Sequence, residues 1–190
     1  MDTDANDLEQ NDIELGEKLA SRRNDPAVRK ASKVGKLGDQ EPLYAAAAAT
    51  LLYAVATCRA RLACASVAVL AAVAGADVGK TIAKRSVHRT RPHVKMDDDR
   101  YERGLGGTGE QPEQSFPSGH VACTVAAARA LSRHYPASSS WGALATITIA
   151  IARLAKGAHW PLDVAGGLMI GLFAEALTSA ALRSIGLRGR

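Results

Sequence analysis

Six residues of this chain combine cationic, nucleophilic and acid–base character at spacings that let them share one ligand: Lys84, Arg91, His120, Arg153, His159 and Asp163. They fall into three clusters at the ends of apolar runs. Lys84 and Arg91-Pro92 form the first; if the helix runs on, positions seven apart share a face. Phe116-Pro117-Ser118-Gly119-His120 is the second, a tight turn leading straight into the apolar stretch Val121 to Leu131. A helix N-terminus there offers unsatisfied N–H groups and the positive end of the macrodipole, which suit an anion such as phosphate. The third cluster is Arg153, His159 and Asp163. Gly157 is expected to end the helix that carries Arg153, and Pro161 suits the first turn of the next one. His159 and Asp163 are four residues apart, so the carboxylate is expected to accept from one ring nitrogen and leave the other as nucleophile.

Each cluster alone has a plainer explanation. Lys84 and Arg91 can be snorkelling side chains, Ser118-Gly119 a cap, and the His159–Asp163 pair a capping contact. Together they supply three fixed cations, two histidines, an orienting carboxylate and a helix N-terminus. Phosphoryl transfer needs that inventory. Cations and N–H groups hold the equatorial oxygens, one group attacks in line and another protonates the leaving oxygen. No zinc or magnesium spacing is evident in the sequence, which points to a metal-independent route, without cofactor, through a covalent phosphohistidine.

In this order and at these intervals the three stretches resemble the signature of the type 2 phosphatidic acid phosphatase superfamily, which includes soluble acid phosphatases and vanadium haloperoxidases. The pattern reads Lys84–Arg91-Pro92, Pro117–His120 and Arg153–His159–Asp163. One departure is visible: Ala152 stands where the family usually has Ser before the Arg. The resemblance implies that His159 is the nucleophile, that Asp163 orients it, and that His120 protonates the leaving group and later activates water. It implies that Lys84, Arg91 and Arg153 bind the phosphoryl oxygens with help from the N–H groups of Ser118 and Gly119. It also implies a hydrolase acting on a membrane lipid phosphate or diphosphate, with its site on the outer, periplasm-like face of a bacterial inner membrane.

The elements that must position these residues are helices. Apolar runs cover Leu43 to Cys58, Leu62 to Ala83, Val121 to Leu131, Trp141 to Ala155 and Leu162 to Ile185. Few charges interrupt them and none has a polar face, so the expected fold is an all-α bundle of about five transmembrane helices. Residues 1–41 form a polar, amphipathic segment ahead of the membrane-embedded bundle of residues 42–190. Residues 1–7 read as disordered, and Leu8, Leu15 and Leu19 lie on one face of a helix over 8–23, docked on the domain or lying at the bilayer interface. A second helix restarts at Asp25-Pro26. Residues 85–117 are one long charged connection, and Asp97-Asp98-Asp99 in it reads as a solvated acidic tip. Gly167 and Gly171 make a G-x-x-x-G, read as close packing inside the bundle, with a homodimer as the alternative. Glu175, deep in the same run, is expected to pair with Arg133 or Arg129.

Composition bounds the function. The net charge is +5, but no aromatic-interleaved basic patch or zinc spacing accompanies it, which argues against nucleic acid. Cys58, Cys64 and Cys123 lack ligand or redox spacing and read as small buried residues. Seven acids and no base precede Lys18, unlike a secretory signal or a transit peptide. Arg59, Arg61, Arg133, Arg183, Arg188 and Arg190 lie away from the site, as the positive-inside rule asks of an outward-facing site. An odd number of spans then puts the N-terminal segment on the site's side. Two other readings of the same pocket are a vanadate-dependent haloperoxidase, which the short apolar chain argues against, and a silent binder of lipid phosphates, for which two histidines and a carboxylate are superfluous.

Overall fold

The apolar runs do form helices, and alanine decides how closely they approach. The computed structural model describes residues 2–26, 28, 30 and 40–186. Its helices are α1 (Asp2–Ala20), α2 (Gln40–Ala56), α3 (Ala60–Ser86), α4 (Pro92–Asp98), α5 (Gly119–His134), α6 (Ser139–Ala155) and α7 (Pro161–Ser184). Helices α3, α5 and α7 pack on one another; α2 leans on α3, and α6 on α5. The core between them is Ala68, Ala72, Ala76, Ala122, Ala126, Ala130 and Ala174 with Val73 and Cys123. Side chains this small let backbones come close, and dispersion rather than bulky burial holds such an interface.

Large apolar side chains point the other way. Leu144, Ile147 and Ile151 on α6, Met169, Phe173 and Leu177 on α7, and Val78 and Ile82 on α3 are all exposed. Burying one such side chain is worth about 1.5–3 kcal/mol in water, so a rim of them around an alanine core suits an apolar solvent. Helices α3 and α7 are long and apolar enough to cross a bilayer, and among the described residues no other helix is. Five helices thus form where five spans are expected, and two of them are spans on length and composition. Helices α2, α5 and α6 hold 16 or 17 residues, about 25 Å at 1.5 Å per residue against a hydrocarbon core of ~30 Å.

Two glycines of α7 meet α5. A Cβ on Gly167 would stand 2.4 Å from Ser118 O, and one on Gly171 2.3 Å from Ala122 O. The G-x-x-x-G face packs inside the bundle. Deeper in α7, Arg133 Nη2 donates to Glu175 Oε2 at 3.0 Å and Arg133 Nε to Glu175 Oε1. Ser179 Oγ donates to the same carboxylate at 2.5 Å. Of the two expected partners of the buried acid, Arg133 is the one that pairs with it.

Three expectations change. Helix α1 starts at Asp2 rather than at residue 8, and it docks by a neighbouring face rather than by its leucines. Asp12, Gly16 and Ala20 are buried while Leu8, Leu15 and Leu19 stay exposed. Polar bonds to the bundle outweigh the apolar stripe as the docking force. Residues 85–117 are not one loose connection. Strand β1 (Val87–Arg89) pairs antiparallel with β2 (Arg103–Leu105), Val87 opposite Leu105 and Arg89 opposite Arg103. Asp97, at the exposed tip, pairs with Arg23 at 2.5 Å. Of the cysteines only Cys123 is buried; Cys58 is exposed at the end of α2. Most of the helix expected after Pro26, and Arg188 and Arg190, lie outside the described residues.

Candidate active site

Lys84 and Arg91 reach for the same carbonyl oxygen. Lys84 Nζ donates to Gln114 O at 2.7 Å, and Arg91 Nη2 to the same atom at 3.4 Å. They converge although the helix does not run on between them. α3 stops at Ser86, β1 follows, and Arg91 N donates to Pro112 O at 2.9 Å. Arg153 comes from the last turn of α6 and is buried. Gly157 ends that helix as the sequence predicts, at φ +68°, where a Cβ would be strained. Its carbonyl accepts the His93 N–H at 2.9 Å, and the chain turns inward to His159. With Gly119 and His120 at the head of α5, Lys84, Arg91, Arg153 and His159 line one cavity of about 640 Å³. Gln40, Glu41, Asp77 and Lys80 contribute to its rim.

The other two expected site residues do not line it. Ser118 is fully buried, and its N–H donates to Asp163 O at 2.9 Å. That N–H is therefore not available to an oxyanion. Ser118 Oγ has no hydrogen-bond partner among the described residues. Asp163 lies behind the cavity wall, fully buried.

The expected His159–Asp163 hydrogen bond is not made. His159 Nδ1 stands 3.9 Å from Asp163 Oδ2. It donates instead to Ser115 O, at 2.7 Å. A carbonyl oxygen only accepts, so Nδ1 carries the proton and Nε2 keeps its lone pair. The reason is local. His159 precedes the N-cap Trp160, so the two residues are not on consecutive helical turns. Asp163 turns back to cap α7, Oδ2 accepting from Trp160 N at 2.8 Å and from Ser115 Oγ at 2.5 Å. Carboxylate and imidazole are thus joined through one serine, which holds the ring by its carbonyl and the acid by its hydroxyl.

Sequence reasoning missed Arg89. It is 3% exposed, and its Nη1 donates to Asp163 Oδ1 at 2.9 Å. Its Nη2 donates to Asp12 Oδ2 at 2.6 Å and Glu9 Oε1 at 2.8 Å, its Nε to Tyr101 Oη at 3.0 Å. The guanidinium stands 5.5 Å from the centre of the Trp160 ring. The sequence signal was present but mute: Arg89 is one of several bases between Lys84 and Arg91, and its acidic partners are some 80 positions away.

Electrostatics follow from burial and like charge. Burial holds His159 well below the ordinary imidazole range, and the cationic heads of Arg153, Arg91 and Lys84 push it further, against the Ser115 bond. His159 is therefore neutral. Burial also lowers Arg91, partly offset by Asp163, yet a guanidinium remains charged. Burial lowers Arg89 too, but Asp163, Tyr101 and Asp12 more than reverse it and leave it raised. Three cations crowded into a partly desolvated cavity repel one another, and an anion relieves that repulsion. The arrangement can hold a tetrahedral oxyanion against a neutral imidazole nitrogen, with a second imidazole at the same cavity.

The sequence profile of the PAP2 superfamily matches residues 61–185 of the 190-residue chain. The chain belongs to the PAP2 superfamily. Every residue of the expected signature lies inside the matched span. The fold is similar to that in the crystal structure of Aquifex aeolicus LpxE, with a TM-score of 0.62 at 20% identity over 88% of this chain and 94% of that one. No curated protein sequence matches the chain. The family supports a phosphatase, and the likeness to the solved structure concerns the fold.

Proposed function

We propose that this PAP2 protein hydrolyses a membrane lipid phosphate or diphosphate through a phosphohistidine on His159. The observation that carries the reading is the His159 Nδ1–Ser115 O bond, which fixes the lone pair on Nε2, on a ring that lines the cation-rich cavity. Lys84, Arg91 and Arg153 hold the phosphoryl oxygens, and the Gly119 end of α5 adds its positive dipole. His159 Nε2 forms a bond to phosphorus as the bond to the ester oxygen breaks, and His120 gives that oxygen its proton. The phosphorylated ring is cationic while Nδ1 keeps its proton. The Ser115 carbonyl and the Asp163 carboxylate, 3.9 Å away, stabilise that charge. Water then attacks phosphorus, His120 takes a proton from it, the P–N bond breaks and inorganic phosphate leaves.

The bundle supports a membrane setting. Gln40 and Glu41 at the start of α2, the C-terminal ends of α3 and α6 and the N-terminal ends of α5 and α7 meet at the cavity. The five helices therefore run alternately up and down, and we read all five as crossing, with Arg59, Arg61 and Arg133 snorkelling at the far end. Those bases and Arg183 gather opposite the site, which fits an outward-facing cavity in an inner membrane. An odd number of crossings agrees with α1 lying at the site's end. The test is phosphate release in detergent with EDTA, across phosphatidic acid, phosphatidylglycerol phosphate, and polyprenyl phosphate and diphosphate. Release from at least one of them, undiminished by EDTA and lost in His159→Ala, is expected. Release from none, or release that EDTA stops, contradicts the reading.

A further inference from the structure

The acidic helix α1 is fastened to the back of the site rather than to its surface. Asp12, 5% exposed, makes two bonds that matter. Its Oδ2 accepts from Arg89 Nη2 at 2.6 Å, and its Oδ1 accepts from Leu162 N, in the first turn of α7, at 2.8 Å. Asp163 lies one residue beyond Leu162. Arg89 in turn holds both supports of His159. Its guanidinium fixes Asp163 Oδ1 at 2.9 Å, and its main-chain carbonyl accepts from Ser115 N at 3.0 Å. Ser115 is the residue whose carbonyl takes the His159 Nδ1–H. Two routes thus lead from Asp12 to the imidazole, one through the arginine and one through the head of α7.

Packing keeps the helix in register. A Cβ on Gly16 would stand 2.3 Å from the Trp160 ring, the residue next to His159, so α1 lies directly on it. Lys95 pairs with Glu17 at 2.6 Å further along the same helix, a partly exposed contact that leads to no site residue.

We propose that Asp12 is a positioning residue: by bridging Arg89 and the first turn of α7 it sets where Ser115 and Asp163 hold His159. Turnover then depends on α1 through the carboxylates it sets on Arg89, Asp12 foremost, and not only on the bundle that carries the signature. The role acts through other residues, since Asp12 does not line the cavity. It rests on His159 being the nucleophile, and the test below separates the two claims.

The experiment uses the full chain in detergent, with Asp12→Asn compared with Glu17→Gln on the same helix. Against a lipid phosphate that the wild type hydrolyses, Asp12→Asn is expected to lower kcat about tenfold with KM within twofold, while Glu17→Gln leaves both unchanged. Histidine 15N NMR, which needs no substrate, is expected to show His159 as the Nδ1–H tautomer in the wild type and as a mixture of both tautomers in Asp12→Asn. An Asp12→Asn protein with wild-type kcat and an unchanged tautomer overturns the proposal. If Asp12→Asn does not fold, Glu9→Gln removes the other carboxylate from the same Arg89 nitrogen and must lower kcat in the same sense; wild-type kcat in that variant overturns the proposal equally. If the wild type hydrolyses no lipid phosphate, the functional reading fails, and the tautomer measurement still decides the positioning role.

Discussion

His159 is held at one nitrogen by a backbone carbonyl and kept neutral by burial and by three cations, so that in the proposed mechanism one nitrogen orients the ring and the other attacks. His159→Ala and His120→Ala are each expected to lower phosphate release by at least about 10³-fold, as loss of a covalent nucleophile or its acid–base partner does elsewhere, measured in detergent on purified protein. Ser118→Ala is expected to weaken activity only slightly, because Ser118 is buried away from the cavity and its N–H serves Asp163. A lowered His159 pKa has a spectroscopic consequence. In the free enzyme its 15N signal, assigned by its loss in His159→Ala, should not titrate between about pH 8 and pH 6, where an ordinary imidazole begins to charge. A midpoint near 6.5 for that signal contradicts the electrostatic account. Most of the cavity lining was legible because Lys84, Arg91, His120, Arg153 and His159 carry their chemistry in residue type and interval. Arg89 was not, since a base among bases has no signature and burial is invisible in a sequence. The His159–Asp163 contact was misjudged for a different reason: an interval of four implies a shared face only inside a helix, and here a cap intervenes.

At the scale of elements, two contacts decide whether the scaffold can place these residues. Gly171 lets α7 lie against Ala122 of α5, so Gly171→Val forces the helices apart and should cost about 1–3 kcal/mol by overpacking, read as reduced unfolding midpoint in detergent. The same change at an exposed position such as Ala176 should cost much less. Glu175 and Arg133 form the second contact. Glu175→Leu alone leaves Arg133 facing its vacated partner, and the loss should approach the lower end of the roughly 3–5 kcal/mol seen for broken buried pairs, because Arg133 is 40% exposed. Adding Arg133→Leu should recover most of it. Five apolar runs, the Gly157 break and the Pro161 start were readable from period and punctuation, and the partner of Glu175 was narrowed to Arg133 or Arg129. The docking face of α1 was not. Its leucines mark an apolar stripe, but the helix docks by the neighbouring face of Asp12 and Gly16, whose partners Arg89, Leu162 and Trp160 are distant in sequence.

The whole molecule inverts the arrangement of a water-soluble bundle, with alanine inside and leucine, isoleucine and phenylalanine outside. Expressed without detergent it should sediment with membranes, and release by high salt or carbonate would contradict the apolar rim as a lipid-facing surface. That inversion could be anticipated from alanine-rich runs lacking a polar face, whereas the number of crossings could not, because helices of 16 or 17 residues fall between a core helix and a span. The most direct test of the account is rapid-quench trapping with a substrate labelled in the phosphoryl group, followed by peptide mapping under alkaline conditions that preserve phosphohistidine. The account predicts an acid-labile phosphoryl group on His159, formed before phosphate is released and absent in His159→Ala. Phosphate released at full rate with label never found on His159 would contradict it.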